Sequence, residues 1–234
     1  MTAKADAGVL VASYLSLRRY IGILGLALPG VLFAGGLVLD DGLQPSLSAY
    51  YHTGMRDVFV GTLCAIGVFL LSYRGYERND RIAGNLACVF AVGVAICPVA
   101  RDGAHGTPVW VGRAHFGFAA AFFLTLVYFS MFLFTRMAPV PTPRKLVRNR
   151  VYRTCGIIML ACVVLIAALE IAGADALMRR YRLVFAFETA AILAFGVSWL
   201  VKGEAILGDR PRAGAATGSG ALPGSPLGAR HDER

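Results

Sequence analysis

YIGILGLALPGVLFAGGLVL, residues Tyr20–Leu39, is the stretch that decides the fold. It is a run of 20 residues without a charge. At about 1.5 Å of rise per residue it matches the roughly 30 Å hydrocarbon core of a bilayer. Pro29 inside it removes one helical donor, so a kink is expected there, compensated by neighbouring helices. Moving outward, the same apolar character returns at Val58–Tyr73, Ile82–Ala100, Ala114–Thr135, Thr154–Ala174 and Val184–Val201. Pro98 marks the end of the third of these runs. The chain is 57% hydrophobic and 16% charged, too few polar groups to clothe a soluble globule. The reading is an all-α integral membrane bundle of six transmembrane helices spanning residues 20–202. Residues 1–19 then form an N-terminal cytoplasmic segment and 203–234 a disordered cytoplasmic tail.

The basic residues orient this bundle. If the N-terminus is cytoplasmic, the inner segments carry Lys4, Arg18, Arg19, Arg74, Arg78, Arg81, Arg136, Arg144, Lys145, Arg148, Arg150, Arg153, Lys202, Arg210, Arg212, Arg230 and Arg234, which is 17 of the 23 Lys and Arg residues. The outer loops carry Arg56, Arg101, Arg113, Arg179, Arg180 and Arg182. The positive-inside rule therefore puts both termini in the cytoplasm. Arg18-Arg19 resembles the start of an export signal, but five further spans argue for a retained helix. The formal charge of +9 is spread along span flanks, without the interleaved aromatics of a nucleic-acid surface, so no nucleic-acid partner is expected.

Several stretches have plain readings. The tail after Lys202, rich in Gly, Ala, Pro and Ser, can bury no core. Met137–Arg150, with Pro139, Pro141 and Pro143 before RKLVRNR, reads as an extended turn whose basic cluster meets anionic headgroups. Cys64, Cys88, Cys97, Cys155 and Cys162 lie in or at the ends of spans without a C-x-x-C spacing, so they read as reduced packing residues. Gly30 with Ala34, Gly61 with Ala65 and Gly84 with Cys88 place small residues at four-residue spacing, which lets helices approach within the bundle or in a homo-oligomer.

Function is sought in the polar interval PSLSAYYHTGMRD, Pro45–Asp57, and in ionisable residues placed within the spans. Asp57 opens the second span, Arg101 follows the third, His115 opens the fourth, Glu170 lies near the end of the fifth and Glu188 sits about 6 Å into the sixth. All fall on the extracytoplasmic half, where the Ser48–Asp57 loop lies, and Asn85 is the main polar group deep on the other half. Each also has a bland reading. Asp57 complements a helix dipole while Arg56 snorkels; His115 is an interfacial hydrogen-bonding residue; Glu170 is solvated. Glu188, between FAF and TAAILAF, needs a partner or a proton, and Arg56, Arg101 and His115 are the partners considered. The candidate ligand-binding set is Ser48, His52, Arg56, Asp57, Arg101, His115 and Glu188.

The runs SLSAYYHTGMRDVFVG, NLACVFAVGVA, HFGFAAAFFLTLVYF and FGVSWLVKGE resemble an uncharacterised bacterial multi-pass membrane family. They are more distantly similar to the eukaryotic Frag/DRAM/Sfk six-helix membrane proteins. The resemblance covers residues 18–204; it implies a six-helix fold in a bacterial cytoplasmic membrane and no particular activity. Ser48-x-x-x-His52 followed by Asp57 also resembles part of the motif set of the alkaline-ceramidase and adiponectin-receptor hydrolases. The chain departs from that set in lacking a late His-x-x-x-His.

Three functions follow. The first is a non-enzymatic membrane protein whose outward polar cavity binds a lipid headgroup or small solute, as a sensor, accessory or permeation element, with membrane lipids as partners and no cofactor. The second is a membrane-embedded lipid hydrolase in which His52, Asp57, His115 and Glu188 act as metal ligands or as acid and base. The third is a purely structural polar network.

Overall fold

The computed structural model describes residues 2–73, 75, 77–100, 108–136 and 142–208, with side chains from residue 13 onward. Among them all regular structure is helical. Helix α1 is Thr2–Val38; a 3-10 turn follows at Ser48–His52; α2 is Arg56–Ser72 and α3 Arg78–Ile96; α4, Val109–Tyr128, continues as a π-helical stretch, Phe129–Leu133. Then come α5, Pro143–Ile171, the short α6, Asp175–Tyr181, and α7, Leu183–Lys202.

Among the described residues, five segments are long and apolar enough to cross a membrane: Ser13–Val38, Arg78–Ile96, Val109–Leu133, Pro143–Ile171 and Leu183–Lys202. The remaining apolar helix, α2, has 17 residues, about 25 Å of rise. It packs between α1 and α3. Neighbour relations close a ring: α1 on α2, α2 on α3, α3 on α4, α4 on α5, α5 on α7 and α7 back on α1. The interior is filled by Phe122, Phe129, Phe134, Phe195 and Trp199. Outward faces carry exposed Ile157, Leu160, Val164 and Leu165 on α5 and Val89 on α3, an arrangement that suits lipid rather than water.

Close approach is concentrated at a few glycines. A Cβ on Gly84 would lie 2.6 Å from the Leu70 carbonyl oxygen, and one on Gly196 would lie 2.9 Å from that of Gly22. These residues set the α2–α3 and α1–α7 contacts. Gly30 and Gly61, expected to act the same way, face open space, because their helices turn other faces to the core.

Helix boundaries differ from expectation in three places. Helix α1 runs without a break across the 19/20 boundary, so the expected N-terminal segment is continuous with the first span. Helix α4 begins at Val109 instead of Ala114. Helix α5 begins at Pro143, so the RKLVRNR run is helical instead of an extended turn. The local cause is Thr142, whose hydroxyl accepts from the Lys145 N–H at 3.2 Å, followed by Pro143 at the first helical position, where its missing donor is not needed. All five thiols are free. Residues 203–208 turn back on the bundle; the rest of the expected tail lies outside the described residues.

Candidate functional site

The interval Pro45–Asp57 is not a solvated patch. Ser46, Ser48, Ala49 and Tyr50 are buried. The Ser46 hydroxyl accepts the Ala49 N–H at 3.0 Å, the Thr53 hydroxyl donates to the Tyr50 carbonyl at 2.9 Å, and the Gly54 N–H donates to Asp41 Oδ2 at 2.9 Å. Serine and threonine hydroxyls that compete with a helical ladder are what hold such a turn. The strap thus formed lies on the first turns of α7. The Phe185 N–H donates to the Pro45 carbonyl at 3.1 Å, and the Arg182 guanidinium donates to the Leu43 carbonyl.

Glu188 is the centre of this junction. Its Oε2 accepts the Leu47 N–H at 2.6 Å, and its Oε1 accepts the Ser48 hydroxyl at 3.2 Å. The partners expected for it were cationic, and the structure supplies amide and hydroxyl donors instead. Among the described residues no cation lies within ion-pair distance of it. Arg56 is exposed, stacked 4.5 Å from the Tyr51 ring centroid and donating to the Tyr51 hydroxyl at 2.8 Å. Asp57 is exposed in the first turn of α2, where a carboxylate complements the helix dipole. Arg101 lies outside the described residues.

The two histidines finish α3. The helix ends at Ile96, and the Cys97 and Val99 carbonyls just beyond it need donors from elsewhere. His115 donates from Nδ1 to the Cys97 carbonyl at 2.7 Å, and His52 donates from Nε2 to the Val99 carbonyl at 2.8 Å. Pro98 lies between these two carbonyls. A neutral imidazole that donates from one nitrogen has an acceptor at the other. His115 is 2% exposed, because α4 starts early enough to carry it inside.

Beside this junction, between α4, α5 and α7, opens a cavity of about 360 Å³. His115, Glu170 and Glu188 are its polar lining, and the remaining lining is apolar, with Phe116, Ala120, Phe123, Val163, Ile166 and Ala167 among it. A second cavity, about 40 Å³, reaches Ser48 and Phe122 from the other side, and Glu188, Ala119 and Phe123 belong to the walls of both. Two carboxylates and an imidazole acceptor on an otherwise apolar wall can take hydrogen bonds from an amine or hydroxyl while alkyl groups fill the remainder. His115, Phe116, Ala119, Ala120 and Phe123 share one helical face by their spacing, a signal already present within the expected span Ala114–Thr135. The four-residue arrangement His52, Asp57, His115 and Glu188 is not assembled: among the described residues no three His, Cys, Asp or Glu converge as metal ligands.

The opposite end of the bundle corrects the expectation that polar groups favour one half. Asp80, Ser130, Arg148, Asn149 and Ser198 are buried. Arg136 bridges Glu77 at 3.0 Å and Asp80 at 3.2 Å; Asn149 donates to the Thr135 carbonyl at 3.0 Å; Ser130 and Ser198 share a hydrogen bond of 2.8 Å. Asn85 is exposed. Arg148 and Asn149 escape a reading that ends the basic loop at residue 150, since only a helix from Pro143 turns them inward.

None of the family models, curated proteins or solved structures compared with the chain matches it.

Proposed function

We propose that the chain is a six-span membrane protein with both termini in the cytoplasm, and that it binds a membrane lipid in the cavity between α4, α5 and α7. Here α2 is the sixth span, closing the ring between α1 and α3. The excess of basic residues at the end holding Arg18, Arg78, Arg136 and Lys202 supports the orientation. The cavity then opens in the outer half of the membrane. Its role is recognition, as a sensor, accessory or permeation element, without bond cleavage.

The observation that carries this reading is the composition of the cavity wall: three polar side chains, His115, Glu170 and Glu188, among phenylalanine, alanine and branched aliphatic side chains. A small polar solute would leave most of that wall unmatched, whereas an amphiphile matches both parts. Two carboxylates favour a headgroup that donates hydrogen bonds, an amine or hydroxyl, over one with exposed anionic charge alone.

The test is stabilisation of the detergent-purified protein by added lipids. Phosphatidylethanolamine or a diacylglycerol should raise the unfolding temperature more than phosphatidylcholine, which has no headgroup donor. Ala120→Phe, which fills the cavity, should remove the difference. Equal effects of the three lipids, or an unchanged difference in Ala120→Phe, would overturn the proposal.

A further inference from the structure

Helix α3 opens with Arg78, Arg81, Ile82 and Asn85, whose i, i+3, i+4, i+7 spacing places them on one helical face. That face is turned outward. All four are exposed, whereas Asp80, Ala83, Gly84 and Ala87 are buried in the bundle. Together with Leu71 and Tyr73, at the end of α2, the four line a cavity of about 290 Å³. The acidic residues nearby are engaged elsewhere. Glu77 and Asp80 bridge Arg136 at 3.0 and 3.2 Å, and Asp80 Oδ2 also accepts the Glu77 N–H at 3.0 Å. Among the described residues, neither the Arg78 and Arg81 guanidiniums nor the Asn85 amide has a hydrogen-bond or ion-pair partner.

Asn85 separates this cavity from a solvated pair of arginines. It lies about 10 Å along the axis from Arg78, inside a helix long and apolar enough to cross the membrane. A side-chain amide open to hydrocarbon at that depth is costly. Water at the helix end can serve the arginines, but a ligand whose oxygens run from the arginines down to the amide serves all three.

The adjoining surface is apolar. Ile82 also lines a second cavity, about 370 Å³, between α3 and α4, with Leu86, Leu124 and Tyr128 in its wall. Its polar members are Asn79 and Thr125, and the Thr125 hydroxyl already donates to the Ala121 carbonyl at 2.7 Å. A basic cavity and an apolar groove thus meet at one residue. A phosphate and an acyl chain of the same molecule match that pair of surfaces.

We infer that Arg78, Arg81 and Asn85 form a binding site for an anionic phospholipid in the leaflet at the basic end, with one acyl chain in the α3–α4 groove. The phosphate oxygens accept from the two guanidiniums, and the glycerol oxygens accept from the Asn85 amide. This site is separate from the cavity between α4, α5 and α7. That cavity has carboxylates in its wall and this one has guanidiniums, so the two select headgroups of opposite character.

The test follows thermal unfolding of the full chain in dodecyl maltoside by Trp fluorescence. Separate arms are titrated with phosphatidylglycerol, with phosphatidylcholine of the same chains and with inorganic phosphate. Phosphatidylglycerol should stabilise more than phosphatidylcholine, and inorganic phosphate should not stabilise. Arg81→Gln should raise the phosphatidylglycerol concentration at half-effect about fivefold, and Arg78→Gln combined with it about 25-fold. Arg150→Gln, exposed on α5 at the same end, should leave it unchanged. The replaced arginines are exposed, so without lipid each variant should unfold as wild type does. Ala120→Phe, which fills the other cavity, should keep the phosphatidylglycerol effect; its loss there would assign the effect to that cavity and overturn the inference. Equal stabilisation by the two lipids would also overturn it, as would equal weakening by Arg81→Gln and Arg150→Gln, which marks diffuse surface charge. Stabilisation by inorganic phosphate as strong as by phosphatidylglycerol would point to a soluble ligand and overturn it too.

Discussion

Glu188 and Leu47 are joined by a hydrogen bond of 2.6 Å across 141 positions of sequence, from a carboxylate inside α7 to a backbone amide in the strap after α1. A backbone N–H buried without an acceptor costs about 1–3 kcal/mol, and a carboxylate within a span is costly unless its oxygens are matched. Each group therefore meets the need of the other, and the bond fixes the first helix to the last at the end where the cavity lies.

Replacing the carboxylate separates these roles. Glu188→Gln retains one acceptor for Leu47 and should lower stability by about 1–2 kcal/mol, whereas Glu188→Leu orphans both donors and should cost about 3 kcal/mol. Chemical denaturation of the two variants beside wild type reads the difference. Equal stability of all three would show that the strap is held by its other bonds.

The histidine ends of α3 should be unequal. His115 is buried at 2% exposure and His52 is half-buried. His115→Ala leaves the Cys97 carbonyl without its donor and opens a void; a loss of about 2–4 kcal/mol is expected. His52→Ala should cost less, about 1 kcal/mol, because water can replace its donor. The order of the two unfolding temperatures checks this, and the reverse order would contradict it.

Glu188 and Leu47 show what is legible in the sequence. The apolar runs alone reveal an all-helical chain, since lipid requires every backbone group to be satisfied within the segment. Glu188 stands out by its apolar flanks. Its partners could not be found the same way, because Leu47 acts through its backbone amide and has no side-chain signature. Hydropathy places helix starts at Ala114 and Thr154, later than the observed Val109 and Pro143, because it sees the apolar middle of a helix and not its cap. Thr142-Pro143 was the readable start signal for α5. Only a helix that starts there carries Arg148 and Asn149 inward, into the polar network of the basic end.

Glycine contrasts follow from the ring of helices. Gly84→Val should disrupt the α2–α3 contact, since a Cβ there would lie 2.6 Å from a backbone oxygen that cannot move without its helix. A loss of at least about 3 kcal/mol is expected. Gly61→Val, facing open space, should be nearly neutral. Comparable losses at both sites would require a different packing of α2.

At the basic end, Asp80 and Arg136 should be coupled. Asp80 is 2% exposed and its partner 3.2 Å away is partly solvated, so a double-mutant cycle with alanine should return about 1–2 kcal/mol. Additive single losses would show that the pair is incidental.

The proposed topology is open to labelling. In a background without the five native cysteines, a cysteine at Thr53 should react with an impermeant maleimide on intact cells, and one at Ser219 only after the membrane is opened. Reaction of both from outside would reverse or break the six-span arrangement.

The most direct test of the lipid-binding account is native mass spectrometry of the detergent-purified protein. Wild type should retain a single lipid carrying an amine or hydroxyl donor under conditions where Ala120→Phe, its fold intact, retains none. Retention of the same lipid at the same occupancy by both proteins would contradict the account.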